Sequence, residues 1–277
     1  MPKLLNKTSP SAEKEKKPYR LARILVVSAF LLCIAVSALL FLLHFGKRET
    51  YTYSPKTKIL LYHLVRDDTY GPYEYLFVKE ADFEAQLQEI QKMGYRTVFA
   101  DELSELDDER AVVITFDDGY VDNYTTAFPL LQKYGMKATV FLSSGIIGEE
   151  GHLTEAQIKE MQESGVFRFG SHTVNHVSLD TALSDVIEYE LSASKDAIEA
   201  IIGEEVSAFA YPNGAYNDMV ELFAEKHGYR FCYTTNPPTE PYYENTALPR
   251  SYVVRDMPMA DFLALLTDES ENDKGEH

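Results

Sequence analysis

The chain alternates short apolar runs with amphipathic segments, and this alternation limits its fold more than any other feature. Eight runs have the length and composition of strands, at residues 58–62, 96–99, 111–116, 138–142, 167–170, 207–211, 230–234 and 251–254. Helical signals lie between them, including a capping box at Thr154 and Gln157 and stops at Gly94 and Gly203. This pattern predicts a parallel α/β sheet, open or closed into a barrel, with ligand sites at the carboxyl ends of the strands.

The apolar run at residues 24–45 is longer than any strand. Its 22 residues include only three clearly polar ones, Ser28, Ser37 and His44. As a helix rising about 1.5 Å per residue it would span roughly 33 Å, enough for a bilayer core of about 30 Å. A cleaved signal peptide is the alternative, but its apolar core is typically about 7–15 residues, and no small-x-small site follows this run. We therefore expect one uncleaved transmembrane helix.

Charge indicates the orientation of that helix and the class of partner. Residues 1–23 contain seven Lys or Arg and two Glu. The positive-inside rule then places this tail in the cytoplasm and the rest of the chain outside it, as a single-pass membrane protein. The formal net charge of -18 argues against a nucleic-acid partner. Residues 46–57 read as a linker, 58–267 as the folded domain and 268–277 as an acidic tail.

Cysteine use excludes a disulfide within the folded domain. Of the two cysteines, Cys33 lies in the apolar run, which leaves Cys232 alone in the domain. We expect Cys232 to be a small buried hydrophobic residue. The domain must therefore be held by its core, with a metal as a further source of stability.

Two adjacent carboxylates end the third apolar run, in the segment Thr115-Phe116-Asp117-Asp118-Gly119. Burying neighbouring carboxylates is costly unless a cation or a proton transfer uses them. An ordinary turn is the alternative, because Asp-Gly is a common turn dipeptide.

Two histidines follow the strand predicted at 167–170, in Ser171-His172-Thr173-Val174-Asn175-His176. Histidines four residues apart share one face if the segment is helical, so that both imidazoles reach one metal. Two histidines and a carboxylate are the ligand set of an open catalytic zinc site, and an adjacent carboxylate can take the proton of a water molecule. Surface or packing roles are the alternative for the histidine pair alone.

A third segment, Phe209-Ala210-Tyr211-Pro212-Asn213-Gly214, runs from a strand into a turn. With the three segments in this order, residues 59–254 resemble the polysaccharide deacetylases of carbohydrate esterase family 4, also called the NodB homology domain. The resemblance implies a distorted, seven-stranded (β/α) barrel, preceded here by the N-terminal transmembrane helix. It also implies an N-acetylated glycan as substrate.

The resemblance implies a role for each matched residue. Asp118, His172 and His176 would bind a divalent metal, usually zinc and sometimes cobalt or nickel. Asp117 would be the general base. The backbone N–H of Tyr211 would help to hold the tetrahedral oxyanion.

The chain also departs from the family pattern. Ala210 stands where the third motif often has an arginine that orients the base, the chain has no Trp, and no His lies between His227 and His277. It is more similar to a membrane-linked subset related to poly-N-acetylglucosamine deacetylases, which have a Tyr-His pair on the first strand. That similarity implies His63 as the general acid and Arg250 as the partner of Asp117.

The function implied is metal-dependent removal of N-acetyl groups from an extracytoplasmic N-acetylglucosamine-containing polysaccharide, with release of acetate. An O-acetyl esterase or a peptidoglycan-specific deacetylase on the same site is an alternative. A non-catalytic, anchored glycan-binding domain is another, because the fourth and fifth family motifs are missing. Tyr120, Leu153, Tyr211 and Asn213 are expected to line the sugar cleft.

Overall fold

The computed structural model describes residues 17–45, 57–103, 110–237 and 245–267. The chain divides into two units, Met1–Glu49 and Thr50–His277. The first contains helix α1 (Lys17–Phe45), which includes the predicted anchor. Within the described part of the chain, no helix combines the length and the apolar character that a bilayer span requires. The acidic tail 268–277, most of the linker and the first sixteen residues lie outside the described residues.

The second unit alternates strands and helices in the predicted order. Its strands are β1 (Thr57–Tyr62), β2 (Leu64–Val65), β3 (Phe77–Val78), β4 (Arg96–Val98), β5 (Ala111–Asp118), β6 (Ala138–Leu142), β7 (Phe167–Ser171), β8 (Ala208–Ala210), β9 (Phe231–Tyr233) and β10 (Ser251–Tyr252). Its helices are α2 (Glu80–Lys92), α3 (Phe128–Tyr134), α4 (Glu155–Glu163), α5 (Ser184–Ile202), α6 (Asp218–Lys226) and α7 (Met259–Leu266). All eight predicted strands are confirmed; the short β2 and β3 were not predicted.

The main sheet is parallel throughout and contains eight strands. Seven of them follow the order β10-β1-β5-β6-β7-β8-β9, and β4 also pairs with β5. The first half of β5 pairs with β4 (Val98 opposite Val113), and its second half pairs with β6 (Thr115 opposite Thr139). The sheet curls into a half barrel, consistent with the predicted (β/α) barrel. Because every strand runs the same way, the carboxyl ends lie along one edge.

Both faces of the sheet are buried, which explains the nearly continuous apolar runs. Alternate residues of one strand belong to different core clusters, Leu60 to the larger and Ile59 to the smaller. The larger cluster includes the helix residues Phe83, Ile158 and Ile198, so it fills the space between sheet and helices. Cys232 is buried in β9, as predicted.

The helix signals are mostly confirmed. Thr154 and Gln157 form the predicted capping box at the start of α4. Helix α5 ends where Gly203 takes a φ of 73°, a left-handed conformation that glycine adopts without steric cost. At the start of α5, Leu183 and Val186 are exposed, whereas Ile187, Leu191 and Ile198 are buried against the core.

Candidate active site

The two adjacent carboxylates lie together at the carboxyl end of β5. Neighbouring side chains of an extended strand point to opposite faces. Asp118 instead has a φ of 71°, a left-handed backbone that turns its side chain back toward the edge of the sheet. Asp117 is buried and Asp118 is partly buried. Strained backbone of this kind is common where function fixes the geometry.

The histidine segment follows β7 as a loop and not as a helix. Thr173 and His176 have φ values of 69° and 53°, which fold the loop tightly. The turn nevertheless brings both imidazole rings to one carboxylate. Nε2 of His172 lies 3.7 Å from Oδ1 of Asp118, and Nε2 of His176 lies 3.5 Å from the same oxygen.

These three side chains fit a divalent metal ion. Their ligand atoms all lie within 4.8 Å of one another. Two ligands about 2.1 Å from a tetrahedral Zn²⁺ are separated by roughly 3.4 Å, close to both measured separations. Nδ1 of His172 lies 2.7 Å from the carbonyl oxygen of Ala210, which assigns the proton to Nδ1 and leaves the Nε2 lone pair facing Asp118. Burial lowers the pKa of His172 against the opposing effect of Asp117 and Asp118, which favours the neutral, metal-binding imidazole.

Helix α5 supports the histidine loop through two residues that the sequence did not single out. The buried carboxylate of Glu190 accepts hydrogen bonds from the backbone N–H groups of Val174 and Asn175, at 2.8 and 2.9 Å. The hydroxyl of Ser194 donates to the carbonyl of Thr173 at 3.0 Å. These bonds satisfy polar backbone groups of the loop and hold its turn. The only sequence signal for this supporting role is an acidic residue, Glu190, at a position where the helical repeat of α5 places it toward the core.

Arg250 pairs with Asp117, which confirms the contact that the family resemblance implied. Its two terminal nitrogens donate to the two carboxylate oxygens, each at 2.7 Å. Its Nε donates to the carbonyl of Thr234 at 3.1 Å, and the guanidinium carbon lies 5.4 Å from the ring centre of Phe141. Arg250 is fully buried, and its planar guanidinium is fixed by its contacts with Asp117, Thr234 and Phe141.

The pair sets the charge of Asp117. Burial alone would raise the pKa of this carboxyl, but Arg250 and then His172 lower it well below its usual range. Asp117 is therefore ionised throughout the neutral range. Its Oδ2 lies 3.8 Å from Nε2 of His172, beside the three metal-binding side chains.

His63 lies at the same edge of the sheet, immediately after β1. It is half-buried, and its ring is parallel to that of Tyr252 with 6.1 Å between the centroids. Burial lowers the pKa of His63, although the carboxylates of Asp117 and Asp118 raise it. His63 therefore lies at the predicted end of β1, whereas its role as general acid stays a prediction.

The oxyanion role predicted for Tyr211 was wrong. Its backbone N–H donates to the carbonyl of Tyr233 at 2.9 Å, continuing the β8–β9 ladder, so it has no hydrogen left to give a substrate. Its side chain is fully buried, with the hydroxyl donating to the carbonyl of Thr246. Leu153 is also fully buried, so neither residue can line a sugar cleft. Asn213 and Tyr120 keep exposed surface.

A further pair, Asp122 and Asn123, fixes the segment that carries His63. Oδ1 of Asp122 accepts from the backbone N–H of Val65 at 3.2 Å. The side-chain amide of Asn123 donates to the carbonyl of His63 at 3.0 Å. Both residues are buried. The sequence marked neither, because nothing local shows that they face β2.

The chain matches the family model described as polysaccharide deacetylase over residues 105–232. YxkH of Bacillus subtilis (strain 168), whose name places it among the polysaccharide deacetylases, is 37% identical over 188 residues, covering 66% of this chain and 65% of that protein. The poly-beta-1,6-N-acetyl-D-glucosamine N-deacetylase of Staphylococcus aureus is 29% identical over 139 residues, covering 46% of this chain and 48% of that protein. The matches therefore span under two thirds of the first relative and about half of the second.

A solved structure covers the domain more completely. Streptococcus pyogenes deacetylase PplD, in complex with acetate, aligns with a TM-score of 0.70 and 32% identity, over 76% of this chain and 98% of that one. The chain belongs to the polysaccharide deacetylase family.

Proposed function

We propose that this protein is a metal-dependent N-deacetylase of an N-acetylglucosamine-containing polysaccharide. The observation that carries the proposal is the convergence of Asp118, His172 and His176 around one point, with the ionised Asp117 beside it. The acetate in the solved structure of the related PplD is the expected product of such a reaction.

Each residue of the site has a distinct task in this proposal. A divalent ion held by Asp118, His172 and His176, with Zn²⁺ favoured over Co²⁺ or Ni²⁺, would polarise the acetamide carbonyl and acidify a water molecule. Asp117 takes the proton of the attacking water as general base. Arg250 keeps that carboxylate ionised and fixes its orientation through two hydrogen bonds. His63 delivers a proton to the departing amine.

A named relative supports this class of substrate. The Staphylococcus aureus relative is named for poly-beta-1,6-N-acetyl-D-glucosamine, a neutral polymer with one acetamide per sugar. A net charge of -18 on this chain disfavours polyanionic glycans and suits a neutral polymer that gains positive charge as it loses acetyl groups.

Acetate release tests the proposal directly. The Zn²⁺-loaded protein is incubated with poly-β-1,6-N-acetylglucosamine, chitin oligosaccharides, peptidoglycan and an O-acetylated xylan, and free acetate and new amines are quantified. We expect equal amounts of both from an N-acetylglucosamine polymer. Asp117→Asn should reduce the rate by at least about 100-fold while the metal content stays unchanged.

Other results would select the alternatives. Acetate without new amines would identify an O-acetyl esterase, and release from peptidoglycan alone would identify a peptidoglycan deacetylase. Glycan binding by a zinc-loaded protein that releases no acetate would identify a non-catalytic binding domain. Near-normal turnover in Asp117→Asn would contradict the assignment of Asp117 as the general base.

We also propose that residues 24–45 anchor the enzyme in the membrane, with the catalytic domain outside the cytoplasm. The apolar run and its basic flank support this location. In cells, the full chain should sediment with membranes and resist extraction by high salt or carbonate. External protease should remove the domain from spheroplasts. A chain released by carbonate, or one protected from external protease, would contradict the proposed location.

A further inference from the structure

We infer that residues 66–76, the tyrosine loop, form a sugar-binding platform beside the active site. The platform would hold pyranose rings of the glycan that neighbour the ring losing its acetyl group. This inference rests on the proposed function and names a binding surface for its substrate.

The loop exposes three tyrosines within six residues. Tyr70, Tyr73 and Tyr75 are 52%, 60% and 50% exposed. Most other tyrosines of the described domain are buried or half-buried. A concentration of exposed rings on one short loop is typical of a binding surface rather than of scattered surface residues.

The loop is held in a defined conformation. Arg255 donates from its backbone N–H to the carbonyl of Tyr75 at 2.9 Å. Its guanidinium donates to the carbonyls of Asp67 at 2.9 Å and Phe77 at 3.3 Å, near the two ends of the loop. Tyr70 packs edge-on against Phe77 with 5.0 Å between the ring centres. Rings presented on fixed backbone lose little entropy on binding, which favours affinity.

The tyrosine loop is tied to the catalytic residues at two points. It begins three residues after His63, and the segment between them is fixed by Asp122, which accepts from the backbone N–H of Val65 at 3.2 Å, and by Asn123, which donates to the carbonyl of His63 at 3.0 Å. The ring of Tyr252 stacks on that of His63 with 6.1 Å between the centroids, and Arg255, three residues further along the chain, donates from its backbone N–H to the carbonyl of Tyr75 at 2.9 Å. A glycan that places one acetamide at Asp117 and Asp118 can therefore extend onto the tyrosine loop.

Tyrosine suits this ligand chemically. The flat ring stacks on the C–H face of a pyranose, while the phenol hydroxyl bonds to sugar hydroxyls. The loop carries three acids, Asp67, Asp68 and Glu74, against one base, Arg66, and this net negative charge disfavours anionic polymers. The occupant is thus a neutral or partly deacetylated stretch of the N-acetylglucosamine chain, which carries no negative charge.

Substrate length tests the platform. Tyr73→Ala and Tyr75→Ala remove one ring each and leave the backbone contacts of Arg255 in place. The control is Tyr189→Ala, a tyrosine of similar exposure, 54%, on helix α5. In the full Zn²⁺-loaded chain, kcat/KM is measured for an N-acetylglucosamine hexasaccharide and for 4-nitrophenyl acetate. For each loop variant we expect a loss on the hexasaccharide about tenfold larger than the loss on the ester, mainly in KM. The control should show neither loss.

Two outcomes would overturn the platform. Equal losses on both substrates would mean that the loop only supports the catalytic residues, and an unchanged kcat/KM on the hexasaccharide would mean that the rings contact no sugar. If the wild-type protein releases no acetate at all, the proposed function fails, yet calorimetric titration with the same hexasaccharide still tests the platform. Weaker binding to Tyr73→Ala than to Tyr189→Ala would then support it, and equal binding would reject it.

Discussion

The Asp117–Arg250 pair shows how one residue contact governs the chemistry of the site. A buried carboxylate is stable only when a partner compensates its lost hydration. Arg250 supplies that compensation with two hydrogen bonds and keeps the pKa of Asp117 low. Ala210 stands where the resemblance would place such an arginine, and the same physical need is met here by Arg250, immediately before β10.

Removing the arginine should therefore destabilise the domain strongly. We expect Arg250→Met to cost about 3–5 kcal/mol in the free energy of unfolding, because Asp117 would be left buried and unpaired. In an Asp117→Asn background the same change should cost much less. Urea unfolding of the four proteins of this double-mutant cycle measures both values. Equal costs in the two backgrounds would show that the pair is not energetically coupled.

His63 can be tested through the pH dependence of catalysis. A general acid acts in its protonated form, and burial lowers the pKa of His63 below its ordinary value of 6.5. We therefore expect kcat/KM to fall with rising pH, with the fall beginning below pH 6.5, and His63→Gln to remove that dependence. A profile that stays level well above pH 6.5, or one unchanged in His63→Gln, would assign the acid role elsewhere.

Asp122 offers a test of stability against pH. Burial raises its pKa to about 6, against 3.8 in an unfolded chain, so the folded state holds an unfavourable charge above pH 6. This cost fades as pH falls from 6 towards 4, and a shift of about two units is worth at most about 3 kcal/mol. Asp122→Asn keeps an acceptor for Val65 without the charge. Its melting temperature should exceed that of the wild type at pH 8, and the difference should shrink below pH 6.

At the scale of elements, the site depends on how strands end and what packs behind them. β5 and β7, separated in the sheet only by β6, deliver the carboxylates and histidines to the same edge. Helix α5 then shapes the histidine loop after β7 through Glu190. The strands were predictable from apolar runs, whereas the loop conformation depends on a helix that begins eight residues after His176.

Glu190 should control metal affinity without touching the metal. Glu190→Ala removes the acceptor for two backbone N–H groups, so the loop that positions His176 should lose its shape. We expect Zn²⁺ affinity to fall about 10–100-fold, as for other residues that orient metal ligands. Competition with a chelating dye measures this affinity. Glu188→Ala, on the exposed side of the same helix, should leave it unchanged; an equal loss there would point to a general weakening of α5.

At the scale of the whole molecule, metal binding and stability should be linked. No disulfide cross-links the domain, and the three predicted ligands come from two separate segments, the end of β5 and the loop after β7. An ion that binds only the folded state adds about 2.7 kcal/mol of stability at 100 times its dissociation constant. The melting temperature should therefore rise with Zn²⁺ concentration and fall again on addition of a chelator. An Asp118→Ala variant should show a markedly smaller rise, and an identical rise would place the ion elsewhere.

The sequence by itself determined the fold class, the order of the eight sheet strands along the chain and the identity of the paired carboxylates and histidines. Apolar periodicity reports burial within one segment, so these features can be predicted from short stretches of sequence. Only the tertiary structure decided the turn at His176, the support from Glu190 and the loss of Tyr211 as a donor. It also placed Arg250 against Asp117 across 133 residues of chain. Such pairings depend on sheet order and register, which bring together residues that no local pattern connects.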